Sequence, residues 1–378
     1  MRRLGLYIHV PFCVKKCNYC DFYSLACPKK DNLSDYVSII CSHMRREAHL
    51  YGDYTVDSIF IGGGTPSLIE KEDFERLCGT IEECFSLSEN VEFSIESNPG
   101  TLTKEKLDSY RKCGVNRLSI GLQSANADEL KLLGRIHTLD DFKKSFSLAR
   151  ECGFDNINID LMYALPEQET EDLIRTLDYA LRLEPEHISA YCLKIEDGTP
   201  FSKMKLDLPS EDVQYEMYLA LCKHLEKSGY EQYEISNFAK KGARCVHNLK
   251  YWLCEEYVGF GPSAHSFVDG TRYFYDDDLD SYKLSVSSGS VPEKKVEDLV
   301  ALTDSEKMDE YVMLALRLSD GIDASDFKSR FGIDFESAYD IQKYIDNEFI
   351  IKKNNSYFFS TKGFFVSNYI LSDILKNI

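Results

Sequence analysis

No apolar run in the 378-residue sequence approaches the roughly 20 residues that a membrane-spanning helix needs, so no integral membrane segment is expected. The first residues, Met1-Arg2-Arg3-Leu4-Gly5-Leu6, move straight into a strand pattern. They lack the apolar core and small-residue cleavage site of a secretion signal, which makes the cytoplasm the expected location. Basic residues are in deficit, 44 Lys and Arg against 63 Asp and Glu, for a net charge of −19. That balance repels phosphates and argues against nucleic acid or an anionic bilayer as partner. Internal repeats and low-complexity tracts are absent. Cysteine is not scarce: there are 13, an odd number without framework spacing. In a reducing compartment they read as one metal site plus small buried hydrophobes.

Hydrophobic residues make up 43% of the chain, enough for one large domain and a smaller one. Short β-rich runs at 6–10, 58–62, 91–96, 117–123, 156–162 and 187–193 alternate with helical patterns near 33–50, 72–87, 103–113, 139–152, 169–183 and 211–229. The alternation predicts six βα units and a mainly parallel sheet. Periodicity leaves open whether that sheet is doubly wound or a partial barrel. Past residue 230, short strands are expected at 233–238, 257–260 and 272–275, then an acidic, serine-rich surface connection over 276–300. Helices at 305–318, 324–331 and 336–347, a hairpin at 350–359 and a final helix suggest a small, mostly helical, winged-helix-like unit. Its acids outnumber its bases 13 to 9 over 301–378, which disfavours DNA binding. The expected division is 1–230, 231–300 and 301–378.

The chemistry-bearing segment follows the first strand: Cys13-Val14-Lys15-Lys16-Cys17-Asn18-Tyr19-Cys20. Iron–sulfur clusters are held by cysteine thiolates. Three local ligands leave one iron of a four-iron cubane without a protein ligand. That iron can chelate the amino and carboxylate groups of S-adenosylmethionine, whose reductive cleavage releases a 5′-deoxyadenosyl radical. The alternative is structural zinc, which prefers four ligands, usually in two pairs. No second CxxC pair is present, and Cys27, followed by Pro28, is not read as a ligand.

With this segment the sequence resembles the radical SAM superfamily, in the group of oxygen-independent coproporphyrinogen III oxidases and their relatives. The likeness continues through Gly62-Gly63-Gly64-Thr65-Pro66, Glu96-Ser97-Asn98-Pro99, Gly121-Leu122-Gln123, Gly134-Arg135 and His247-Asn248-Leu249-Lys250-Tyr251-Trp252. It implies a partial (β/α)6 barrel with cluster and cofactor at the C-terminal ends of its strands. Two branches differ. The coproporphyrinogen-converting branch carries an N-terminal extension and a further cysteine where Phe22 stands. The pattern here resembles instead a haem chaperone branch, whose members are taken to bind haem and pass it to respiratory haem proteins. Haem transfer is therefore the first functional expectation, and radical decarboxylation of coproporphyrinogen III the second.

The resemblance implies cluster ligands Cys13, Cys17 and Cys20. It places the cofactor against Tyr7, Tyr19, Gly63, Gly64, Thr65, Glu96, Gln123, Arg135 and Asp160. Each has a plainer reading beside it. The glycines serve any tight turn. Glu96 could be a solvated acid before the Asn98-Pro99-Gly100 turn, and Arg135 a surface ion pair. Asp160, a charge in an apolar strand, needs a partner, which could be a ribose hydroxyl, Arg135 or a backbone amide. The tyrosines could shield the cluster, contact adenine or simply pack. His247 is the candidate haem ligand, imidazole being a common axial ligand, or else a core histidine among aromatics.

Overall fold

The computed structural model describes residues 1–26, 30–296 and 303–375. Six strands run through the first half: β1 Arg2–Val10, β2 Tyr54–Gly63, β3 Leu87–Ser97, β4 Arg117–Gln123, β5 Ile157–Tyr163 and β6 His187–Cys192. All pair in parallel, each with the next in chain order. Among these six strands the order never reverses, so within them there is no switch point of the doubly wound kind. Successive right-handed crossovers then lay every helix on the same face of the sheet, the arrangement of a barrel wall.

Those helices are α1 Lys30–Glu47, α2 Lys71–Cys84, α3 Lys104–Lys112, α4 Ala127–Leu132, α5 Leu139–Glu151, α6 Thr170–Leu181 and α7 Glu211–Lys227. Their apolar stripes recur at helical spacing, as in Phe74, Leu77, Cys78 and Ile81 of α2. Along β1 the alternation is clean. Leu4, Leu6, Ile8 and Val10 join the apolar core, while Tyr7 and His9 share the other face, the Tyr7 hydroxyl 2.9 Å from His9 Nδ1. α4 was not anticipated, because its six residues are too few for a periodic signal.

The sheet continues past both ends of this wall. β7 Glu231–Gln232 and β8 Asn237–Ala239 extend the β6 edge antiparallel. After α8 Val246–Trp252, β9 Tyr257–Phe260 pairs parallel with β1, and β10 His265–Val268, β11 Thr271–Phe274 and β12 Lys295–Val296 follow it antiparallel. The 276–300 stretch is not simply an irregular connection. It contains α9 Leu279–Ser287, capped by Asp278 and burying Leu279, Tyr282 and Val286. Residues 297–300 of that expectation lie outside the described residues.

The C-terminal unit has α10 Asp304–Ala315, α11 Ala324–Phe331 and a three-stranded sheet, Ile322–Asp323 beside Ser356–Phe359 beside Ile350–Lys353. The single helix expected at 336–347 is broken into Phe335–Ala338 and Gln342–Asp346. Tyr339 turns extended between them and donates its hydroxyl to buried Asp309 at 2.5 Å.

Candidate functional site

β1 ends at Val10 and runs through Pro11 into the cysteine loop. Phe12–Cys13 pairs in parallel with Leu25–Ala26, which closes the loop on itself. Asn18 moors its outer end. Its backbone and side-chain N–H groups donate to the carbonyls of Leu133 and Leu132 at 2.9 and 2.8 Å, and its carbonyl accepts from Phe201 N–H at 2.9 Å. Tyr19 packs beside Leu133, Met162, Leu165, Leu193 and Phe201.

The glycine turn after β2 lies against this loop. Gly64 N–H donates to the Val10 carbonyl at 2.9 Å and Thr65 N–H to that of Phe12 at 2.7 Å. A Cβ on Gly64 would stand 2.6–2.8 Å from backbone atoms of Phe12 and Val10. Gly63 has φ +108° and donates its N–H to Glu96 Oε2 at 3.0 Å. Close backbone approach accounts for Gly64, and the positive φ with the His9 ring packed against it for Gly63, without any ligand.

A cleft of about 450 Å³ opens at the C-terminal ends of the strands. It is lined by Cys13, Cys17, Cys20, Tyr19, Gly63, Gly64, Glu96, Gln123, Arg135 and Asp160, so ten of the thirteen predicted residues meet there. Thr65 stands behind, its hydroxyl donating to Cys13 Sγ at 3.6 Å. Tyr7 lies deeper, bonded to His9 and stacked on Phe60. Burial drives Glu96 up to about 8, with the nearby Asp160 carboxylate adding to the shift and the Gly63 N–H opposing it. Burial also raises Asp160, against bonds from Ser119 Oγ at 2.9 Å and Asn158 Nδ2 at 2.8 Å. Ser189 and the Arg117 guanidinium also favour the carboxylate form. Gln123 sits at a register shift in β4 with φ 69°, a strained backbone that marks a strand end re-aimed at a site.

Burial raises the Cys13 thiol and pushes Cys20 up to about 11. A metal would have to displace those protons on binding. Among the described residues, no three His, Cys, Asp or Glu side chains converge on a point that could hold one metal ion. The three thiols nevertheless line one and the same cleft. The carboxylates, amide and guanidinium beside them suit a small zwitterion.

His247 is not brought to the cleft. It lies on α8, at the level of Gly5 and Ser58 near the opposite ends of the strands, and is 1% exposed. Nδ1 is 2.9 Å from Ser58 Oγ and Nε2 2.9 Å from the Tyr251 hydroxyl. Both ring nitrogens are engaged, and burial holds the ring down at about 3. Glu92 fixes this helix, accepting from Val246 and His247 N–H at 2.9 and 3.0 Å. Sequence reasoning missed Ser119, Gly121, Met162, Tyr191 and Asn98, which also line the cleft. Ser119 and Gly121 lie at even spacing from Gln123 on β4, and Met162 likewise from Asp160 on β5, a strand-alternation signal that could have found them.

The description "Radical SAM superfamily" matches residues 7–180 and "HemN C-terminal domain" residues 302–366. The chain is 33% identical over 375 residues to "Heme chaperone HemW" of Buchnera aphidicola from Acyrthosiphon pisum, covering 99% of this chain and 98% of the relative. To that of Bacillus subtilis it is 37% identical over 331 residues, 86% of each. Coproporphyrinogen III oxidase (HemN) from Escherichia coli shares the fold, with a TM-score of 0.86 at 24% identity over 98% of this chain and 89% of that one. The chain belongs to the radical SAM superfamily, on its heme chaperone HemW branch.

Proposed function

We propose that Cys13, Cys17 and Cys20 hold a [4Fe–4S] cluster with S-adenosylmethionine on its open iron, and that the chain is a cytoplasmic haem carrier serving acceptor haem proteins, respiratory enzymes among them. The observation that carries this reading is the single cleft shared by three thiols, two carboxylates, Gln123 and Arg135. When bound, the cluster supplies electrons and one open coordination position. Within the cleft Glu96 and Asp160 accept from an amino group or ribose hydroxyls, Gln123 does both, and Arg135 faces a carboxylate. Tyr19 excludes water from the side and Tyr7 from below. The same reading divides the chain into the barrel at 1–230, an extension at 231–300 and the helical unit at 301–378.

Haem as cargo follows the relatives' name. Phe22 supports transfer over decarboxylation: it stands at the cleft lip, 68% exposed, where the converting branch has its extra cysteine. Ligation of haem by His247 requires the ring to leave Ser58 and Tyr251. Anaerobically reconstituted chain incubated in turn with haem and coproporphyrinogen III tests the choice. Stoichiometric haem binding without CO2 release is expected. CO2 release coupled to cofactor cleavage overturns it.

A further inference from the structure

Behind the cysteine loop, Asn98 joins two of the three thiols through a chain of hydrogen bonds. Its side-chain Nδ2 donates to Thr65 Oγ1 at 2.8 Å, and Thr65 Oγ1 in turn donates to Cys13 Sγ at 3.6 Å. Its Oδ1 accepts from Arg135 Nη2 at 2.7 Å, while Arg135 Nη1 reaches Cys17 Sγ at 3.6 Å. The orientation of the amide is set by chemistry. Arginine has only donors, so the oxygen must face it and the nitrogen must face Thr65. With its lone pair taken by the Asn98 amide, the Thr65 hydroxyl keeps its proton toward sulfur. Asn98 is itself held by its backbone: its N–H donates to Ser67 Oγ at 3.2 Å and its carbonyl accepts the Thr101 hydroxyl at 2.6 Å. The guanidinium is held from two more sides, by the Gly121 carbonyl at 2.9 Å and His137 Nδ1 at 3.3 Å.

We infer that Asn98 is a positioning residue that aims an O–H and an N–H donor at the sulfurs of Cys13 and Cys17, and so raises the reduction potential of the cluster they hold. The inference rests on the cluster reading above. Donors to a ligating sulfur draw off electron density and favour the reduced, more negative cluster. Asn98→Asp keeps the shape but replaces the amide donor with an acceptor. The Thr65 hydroxyl then turns to the new carboxylate and away from Cys13, and the added negative charge acts in the same direction. Thr65→Val removes that hydroxyl alone.

The test is a redox titration of the reconstituted cluster by electron paramagnetic resonance, without S-adenosylmethionine, in the wild-type chain and both variants. Iron and sulfide are counted in each. The expected result is unchanged iron and sulfide with a lower midpoint in both variants. For Asn98→Asp the reduced fraction at fixed potential should fall about tenfold, which is about 59 mV for one electron. If Asn98→Asp loses the cluster, the Thr65→Val midpoint decides. A midpoint equal to or above wild type, or cluster loss from both variants, overturns the inference. Absence of a cluster from the wild-type chain is a different failure and removes the cluster reading itself.

Discussion

At Glu96, burial and the neighbouring Asp160 carboxylate oppose ionisation in the ligand-free cleft. The group moves from an ordinary 4.5 to about 8. Between those values the folded chain holds a proton that the unfolded chain has released. Stability therefore falls as pH rises from about 4.5 to about 8. The carboxyl opens on the cleft, so water tempers the cost to roughly 1–3 kcal/mol. Glu96→Gln should remove that fall. Urea unfolding of both chains at pH 5 and pH 8.5 checks it, and parallel losses contradict it. At the other end of the strands, His247→Ala leaves the Ser58 and Tyr251 hydroxyls short of a partner beside a new cavity. The expected cost is about 2–4 kcal/mol in urea unfolding, and a loss below about 1 kcal/mol would place the ring outside the packed interior. The three cysteines were legible from spacing alone. For His247 the sequence offered both a haem ligand and a core residue and could not choose, because Glu92, more than 150 residues earlier, sets the position of its helix.

Among the elements, the glycine turn and the cysteine loop act as one unit. Gly64→Ala puts a methyl group against backbone atoms of Phe12 and Val10, which cannot yield as a flexible side chain would. The loop must shift, at about 1–3 kcal/mol, and the thiols shift with it. Iron bound per chain after anaerobic reconstitution should fall well below the wild-type value. Full loading would show that the turn does not set the loop. The six barrel strands were readable because each buries an apolar face against the helices. α9 was obscured by its aspartates and serines, although Leu279, Tyr282 and Val286 carry the helical spacing. α4 left little trace in the sequence, yet its C-terminal carbonyls hold Asn18 and the turn after it delivers Arg135.

Across the whole molecule, strand order is what gathers the site. Parallel strands added in chain order bring β2, β3, β4 and β5 round beside the loop after β1. Residues from 13 to 160 thereby meet in one cleft although nothing in their spacing requires it. Sequence periodicity could not separate a barrel from a doubly wound sheet; family resemblance did, and the strand order agrees. β9 on the free edge of β1 carries α8 across the far end, so the motif around His247 closes the interior instead of joining the cleft. All of this turns on what the three thiols hold. Anaerobic reconstitution of the wild-type chain, with iron and acid-labile sulfide counted and Mössbauer spectra taken before and after addition of S-adenosylmethionine, asks that directly. The account predicts about four irons and four sulfides per chain, with one iron site changed by the added compound. Zinc in place of iron, or four iron sites that ignore it, would contradict the account.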